Sequence, residues 1–189
     1  MPVYGYVNVM GGIVLWFVPF LLVYSRQKTP VTVDRRGRWG MFLQALGYSL
    51  LWQGSFWNRS PALWEISLSV LMFAMACTLS WTATFALGRQ LRLDAAVAAN
   101  HELIRSGPYG VVRHPIYTGM VCVLLGTGIM MAPWYLLLAG LAVFMVGTEI
   151  RMRAEDALLE SRFGDEFRQY RQAVPGFIPF FRSGSAAGR

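Results

Sequence analysis

The sequence predicts an all-α integral-membrane protein with five transmembrane helices, a tight helical hairpin made by the last two, and a C-terminal cytoplasmic helix. Three observations carry this. Of 189 residues, 55% are hydrophobic and only 14% are charged, too few charges for an ordinary soluble domain. The uncharged residues gather into four runs, 1–25, 39–57, 66–88 and 115–148. Arginines crowd alternate connections and avoid the others.

A bilayer core takes about 20 apolar helical residues per crossing, so each of the first three runs fits one span. The fourth is too long for one. A single helix over 115–148 would reach about 51 Å at about 1.5 Å per residue, against a core of about 30 Å. Pro133, with Trp134-Tyr135 behind it, offers a turn flanked by interfacial aromatics. The run therefore divides into spans 115–131 and 134–150. Beyond them, Leu159, Phe163, Phe167 and Tyr170 recur at three- and four-residue steps, which predicts an amphipathic helix over 154–170. Gly164 interrupts that pattern, and Pro175-Gly176 ends it. Phe177-Ile178-Pro179-Phe180-Phe181 then lies on the lipid interface or covers a site, and residues 183–189 form a frayed tail.

Orientation follows from charge. Arg26, Lys28, Arg35, Arg36 and Arg38 face one Asp34 in the first connection; Arg89, Arg92, Arg105 and Arg113 lie in the third. The second connection has Arg59 alone, and the turn at 132–133 has no charge. The positive-inside rule puts the N-terminus outside and the 89–114 segment and tail in the cytoplasm. The net charge of +7 is thereby assigned to topology and anionic head groups. No basic, aromatic-interleaved pattern for nucleic acid is present. The N-terminal run lacks the basic start and small-residue cleavage site of a secretory signal. Cys77 and Cys122 sit in separate spans without a CxxC or Cys/His pattern, and read as buried thiols rather than a disulfide or metal site.

Chemistry concentrates in Asn100–Gly119, NHELIRSGPYGVVRHPIYTG, which holds both histidines of the chain. Ionisable groups at a bilayer boundary are expensive to place and point to a site. Pro115 suits the first turn of a helix, where its missing N–H costs nothing. The backbone donors at that helix start favour an anion, to which His114 adds a hydrogen bond and Arg113 a charge. Tyr109 and Tyr117 supply rings and hydroxyls. A hairpin over 115–150 returns the chain to the same side, bringing Arg151 and Glu155 towards this segment. Four residues apart on a helix, these two share a face.

The run H-x-L-I-x-x-G-P-Y-x-x-x-R-H-P-x-Y-x-G, followed after the hairpin by R-x-x-x-E-D-x-L-x-x-x-F-G-x-x-F-x-x-Y-x-x-x-V-P-x-x-I-P, resembles the isoprenylcysteine carboxyl methyltransferase family. That family is grouped with the membrane phospholipid methyltransferases. The resemblance covers roughly residues 87–180. It implies an enzyme that uses S-adenosylmethionine (SAM) without a Rossmann domain, in keeping with the absence of a GxGxxG motif. Carried over by position, His101, Leu103 and Ile104 lie along the adenosine. Gly107, Tyr109, His114, Pro115 and Tyr117 surround the methionine part, and Glu155 closes the site. Arg151 and Glu155 take the family's essential Arg and Glu positions. The family's paired glutamates appear here as Glu155-Asp156, a departure at the second position.

The implied organisation is a scaffold of three helices over 1–88 on the substrate side, a SAM-binding core over 89–182, and a flexible tail over 183–189. The implied reaction is methyl transfer to a lipidic or lipidated acceptor. A carboxylate acceptor needs only orientation, for which Arg151 is the candidate; an amine must lose a proton, to Glu155 or His101. Two other classes compete: a sterol-reductase-like enzyme, which would need NADPH, and a non-catalytic lipid-binding protein.

Overall fold

The computed structural model describes residues 1–23, 31–33, 35–91, 96–98 and 102–177. Six α-helices make up most of it: α1 (Val3–Val23), α2 (Arg36–Leu50), α3 (Leu63–Leu87), α4 (Pro115–Met131), α5 (Trp134–Phe163) and α6 (Asp165–Ala173). By length and composition, α1, α3 and α5 can cross a bilayer, and α4 is a shorter apolar helix. Their outward residues, such as Val14, Leu21, Leu71 and Leu138, are exposed and apolar, as a lipid-facing surface requires.

Local chemistry sets the boundaries. The Glu65 carboxylate accepts the Ala62 N–H at 2.7 Å and so satisfies one orphan donor at the start of α3. Gly88 and Gly164, at φ +50° and +53°, end α3 and α5 in the left-handed region that glycine enters without steric cost. Pro115 opens α4, and Pro133 divides it from α5.

The structure differs from the sequence reading in three places. The second apolar run, 39–57, is not one helix: α2 starts in the basic stretch at Arg36, stops at Leu50, and is followed by turns and a 3-10 helix over Phe56–Asn58. The separate helices expected over 134–150 and 154–170 are instead a continuous α5 to Phe163, then a break at Gly164, then α6. Nothing between Ile150 and Ala154 stops a helix; Gly164 does. Finally, the all-α expectation omits a small antiparallel ribbon, β1 (Val31–Val33) on β2 (Ala96–Ala98), with Thr32 opposite Val97. It ties the connection after α1 to the connection after α3.

Helix α2 packs on α5, α3 on α4, and α1 on α3. The α2–α5 contact is a glycine seam. A Cβ on Gly47 would stand 2.6 Å from the Gly140 carbonyl, and one on Gly140 2.6 Å from the Gly47 carbonyl. Gly40 and Gly147 repeat the reciprocal relation at 2.6 Å, seven residues along each helix. Dispersion between closely approaching backbones replaces the hydrophobic drive that lipid does not provide. Polar side chains tie the other helices: Ser69 Oγ donates to the Gly126 carbonyl at 2.8 Å, and Tyr48 and Thr127 share a hydrogen bond at 3.0 Å. The core between α1, α3 and α4 is built on Val9, Phe73, Val123, Met130 and Met131.

A candidate active site at the start of α4

Arg113, His114 and Pro115 are held by the end of the chain. The N–H groups of Arg113 and His114 donate to the carbonyls of Pro175 and Gly176 at 2.9 and 3.0 Å. Arg113 Nε donates to the Val174 carbonyl at 3.2 Å, and Thr118 Oγ1 to that of Phe177 at 2.9 Å. The segment after α6 thus lies along the beginning of α4. Helix α6 is fixed in turn by Tyr170, which donates its hydroxyl to the Tyr109 carbonyl at 2.6 Å, and by Arg105 stacked over the Tyr170 ring.

Against this frame stand Arg151, Glu155 and Asp156 of α5. Arg113 Nη1 lies 2.5 Å from Asp156 Oδ2, and His114 Nε2 lies 3.0 Å from Asp156 Oδ1. The other ring nitrogen of His114, Nδ1, is 3.5 Å from Glu155 Oε2. Tyr117 donates its hydroxyl to Glu155 Oε1. Arg151 lies 3.9 Å from Glu155 Oε1, stacks over the Tyr117 ring at 5.2 Å, and donates to Gln44 Oε1 at 3.4 Å.

These contacts set the charge states. Burial alone would lower the His114 pKa, but hydrogen bonds to Asp156 and Glu155 and their negative charges outweigh it and raise it to about 9. His114 is therefore an imidazolium at neutral pH, a donor at both nitrogens. Burial would raise the Asp156 carboxyl; His114 and Arg113 overcome that and hold it below its ordinary value. Tyr109 is pushed up, first by burial and then by the Glu155 charge, and Tyr170 rises to about 12, chiefly through burial. Both phenols stay neutral donors.

One cavity of about 370 Å³ draws on these groups. Leu103, Ile104, Tyr109, His114, Pro115, Tyr117, Arg151 and Glu155 all line it, so the structure gathers eight of the ten expected site residues. Gly107 stands apart from the wall. Its φ of +60° starts the turn over Gly107–Gly110, which delivers Tyr109. His101 lies outside the described residues. The N-terminal helices add apolar lining, with Trp16, Phe17 and Phe20 of α1 and Met41 of α2.

Sequence reasoning missed two participants. Asp156, the departure from the family's paired glutamates, binds both Arg113 and His114. Gln44 is an amide in an uncharged run, with Gly40 four residues before it and Gly47 three after. That spacing marks one face of a helix, and it was the available signal.

The sequence model of the phospholipid methyltransferase family matches residues 64–166, more than half of the chain. The chain belongs to the phospholipid methyltransferase family. It is an integral-membrane methyltransferase. Among its relatives, the protein-S-isoprenylcysteine O-methyltransferase of Schizosaccharomyces pombe is 28% identical over 176 residues, covering 70% of this chain and 73% of that one. A cobalt-zinc-cadmium resistance protein of Cupriavidus metallidurans is 30% identical over 152 residues, with 79% and 65% covered. Methanethiol S-methyltransferase 1 of Bradyrhizobium diazoefficiens is 29% identical over 150 residues, with 71% and 50% covered. The family match takes in nearly all of α3 and the whole of α4 and α5. It leaves out α1 and α2, and with them Trp16, Phe17, Phe20, Met41 and Gln44.

Proposed function

We propose that this methyltransferase uses SAM to methylate a lipidic acceptor that arrives as an anion, a carboxylate of the isoprenylcysteine type. The carrying observation is that one cavity is lined both by the charged groups Arg151 and Glu155 and by the aromatic residues Trp16, Phe17 and Phe20. Its volume of about 370 Å³ lies within the range of about 300–1,000 Å³ usual for cofactor and ligand sites.

The residues fit the cofactor. Glu155, whose side chain keeps 28% of its exposure, offers a carboxylate to an ammonium group. Leu103, Ile104, Leu158 and Leu159 offer apolar surface to an adenosine, and Tyr109 a ring. When bound, SAM supplies a methyl already activated on a sulfonium. The protein is left to bind, orient and exclude water. Arg151 orients the acceptor's negative charge. His114 and Tyr117 hold Glu155 in place, and the apolar wall keeps the site dry.

An anionic acceptor is favoured over an amine by the Arg151 guanidinium on the cavity lining, beside acids that are already engaged. His114 is already protonated. Both Asp156 oxygens are engaged by Arg113 and His114, and Glu155 is engaged by Tyr117 and His114. Glu102 also lines the cavity, outside this network, so the preference for an anion rests on the fixed positive charge of Arg151. A relative named for methanethiol S-methylation fits the same logic, since a thiolate is also an anion.

In the proposed topology α1 to α5 are the five spans, with α4 and α5 as a hairpin, the N-terminus outside and the cavity facing the cytoplasm. Residues 1–88 serve the acceptor and 89–182 the cofactor. The test is purified enzyme in lipid nanodiscs with methyl-labelled SAM, offered N-acetyl-S-farnesylcysteine, an alkanethiol or phosphatidylethanolamine. Base-labile ester on the first is the expected product; label found on the amine alone would refute the reading.

A further inference from the structure

We infer that Gln44, which lies outside the stretch matched by the family, is a positioning residue that sets the Arg151 guanidinium for the acceptor. This rests on the reading of Arg151 as the acceptor-orienting cation.

Gln44 is 3% exposed, in a helix packed within a membrane bundle. A buried amide without partners is costly, and here both ends are engaged. Its Nε2 donates to Thr148 Oγ1 at 3.0 Å, and its Oε1 accepts from Arg151 Nη1 at 3.4 Å. A guanidinium only donates, so the amide oxygen must face Arg151 and the amide nitrogen must face Thr148. Thr148 and Arg151 are three residues apart on one face of α5. Gln44 therefore grips α5 at two points, through the gap that the glycine seam opens.

The choice of a neutral amide has a consequence for charge. Arg151 and Glu155 are four apart on a helix and could close into a full ion pair. They lie 3.9 Å apart, at the long end of an ion pair, while Tyr117 donates to Glu155 and Gln44 accepts from Arg151. An amide oxygen holds the guanidinium without cancelling its charge. The guanidinium so held lines the cavity together with Glu155. A carboxylate at position 44 would hold Arg151 more firmly and neutralise it.

The experiment measures acceptor KM and kcat with N-acetyl-S-farnesylcysteine, S-adenosylhomocysteine affinity, and the rate at which phenylglyoxal modifies Arg151, read by mass spectrometry. Gln44→Met should lower kcat/KM 10- to 100-fold and speed the modification of Arg151 severalfold. Gln44→Glu should remain folded, raise acceptor KM at least tenfold and slow the modification. Thr148→Val should show a smaller loss that Thr148→Ser restores, which keeps the test open if Gln44→Met folds poorly. S-adenosylhomocysteine affinity should stay within twofold throughout. A merely structural glutamine would let Gln44→Glu pass as wild type. Folded Gln44 variants with unchanged acceptor kinetics, or, should this acceptor not be turned over, an unchanged Arg151 modification rate, would overturn the inference. If Arg151→Ala keeps normal acceptor kinetics, the reading of Arg151 falls and Gln44 with it. If Arg151→Ala loses turnover and the Gln44 variants do not, only the Gln44 inference falls.

Discussion

His114 Nε2 lies 3.0 Å from Asp156 Oδ1, joining residues forty-two apart in sequence. The contact ties the start of α4 to the middle of α5, and Arg113 doubles it on the other carboxylate oxygen. The side chains of Arg113 and Asp156 are 11% and 15% exposed, so this is a largely buried pair.

Breaking it should be costly. Removing one partner of a buried pair leaves an uncompensated charge and costs about 3–5 kcal/mol. Asp156→Ala should lower the thermal midpoint strongly in detergent, and Asp156→Glu should recover part of the loss. A midpoint for Asp156→Ala equal to wild type would show that the network carries no stability.

The same contacts predict a pH dependence. His114 is raised from 6.5 to about 9 in the folded protein. Its contribution is complete below pH 6.5 and is lost as pH rises through about 9. Asp156 is lowered, so its contribution is present at neutral pH and is lost as pH falls through its depressed value. Thermal unfolding across pH 6 to 10 should show falling stability, and His114→Gln should flatten that slope. A flat wild-type profile would contradict the assignment of an imidazolium.

The glycine seam gives a contrast between two substitutions. A Cβ on Gly47 meets the Gly140 carbonyl at 2.6 Å, whereas one on Gly11 meets nothing within 4 Å. Gly47→Ala should destabilise by about 1–3 kcal/mol as an overpacked contact. Gly11→Ala should be neutral or slightly stabilising, since alanine is favoured in a helix by about 1 kcal/mol. Equal effects in a thermal melt would dissolve the seam argument.

Arg151→Ala and Glu155→Ala test transfer. Each should lose about 10²-fold in kcat/KM, equivalent to about 2.7 kcal/mol of transition-state stabilisation. Arg151→Ala should act mainly on acceptor KM. A pair that served only the helix surface would cost under about 1 kcal/mol and leave turnover intact.

Much of this was legible in the sequence, for reasons that differ by element. The boundaries of α4 came from Pro115 and Pro133, residues whose backbone chemistry permits few alternatives. The convergence of His114, Tyr117, Arg151 and Glu155 followed from a chain that turns back at Pro133. The charges that begin at Glu149 mark a change of composition but not a helix end, and α5 runs on to Gly164, the interruption the sequence pattern marks. Gln44 was legible only through its spacing from Gly40 and Gly47. Its role depends on which face of α2 meets α5, and that follows from glycines on two helices far apart in sequence. The β1–β2 ribbon depends on pairing between distant connections, which no local pattern announces.

The most direct test of the central claim, that the RHP segment and the Arg151–Glu155 face form one cofactor pocket, is calorimetry of SAM binding to the purified protein and to Tyr117→Ala and Glu155→Ala. SAM should bind the wild type, each variant should weaken that binding at least tenfold while remaining folded, and NADPH should give no heat. Wild-type affinity for SAM in both folded variants would contradict the account.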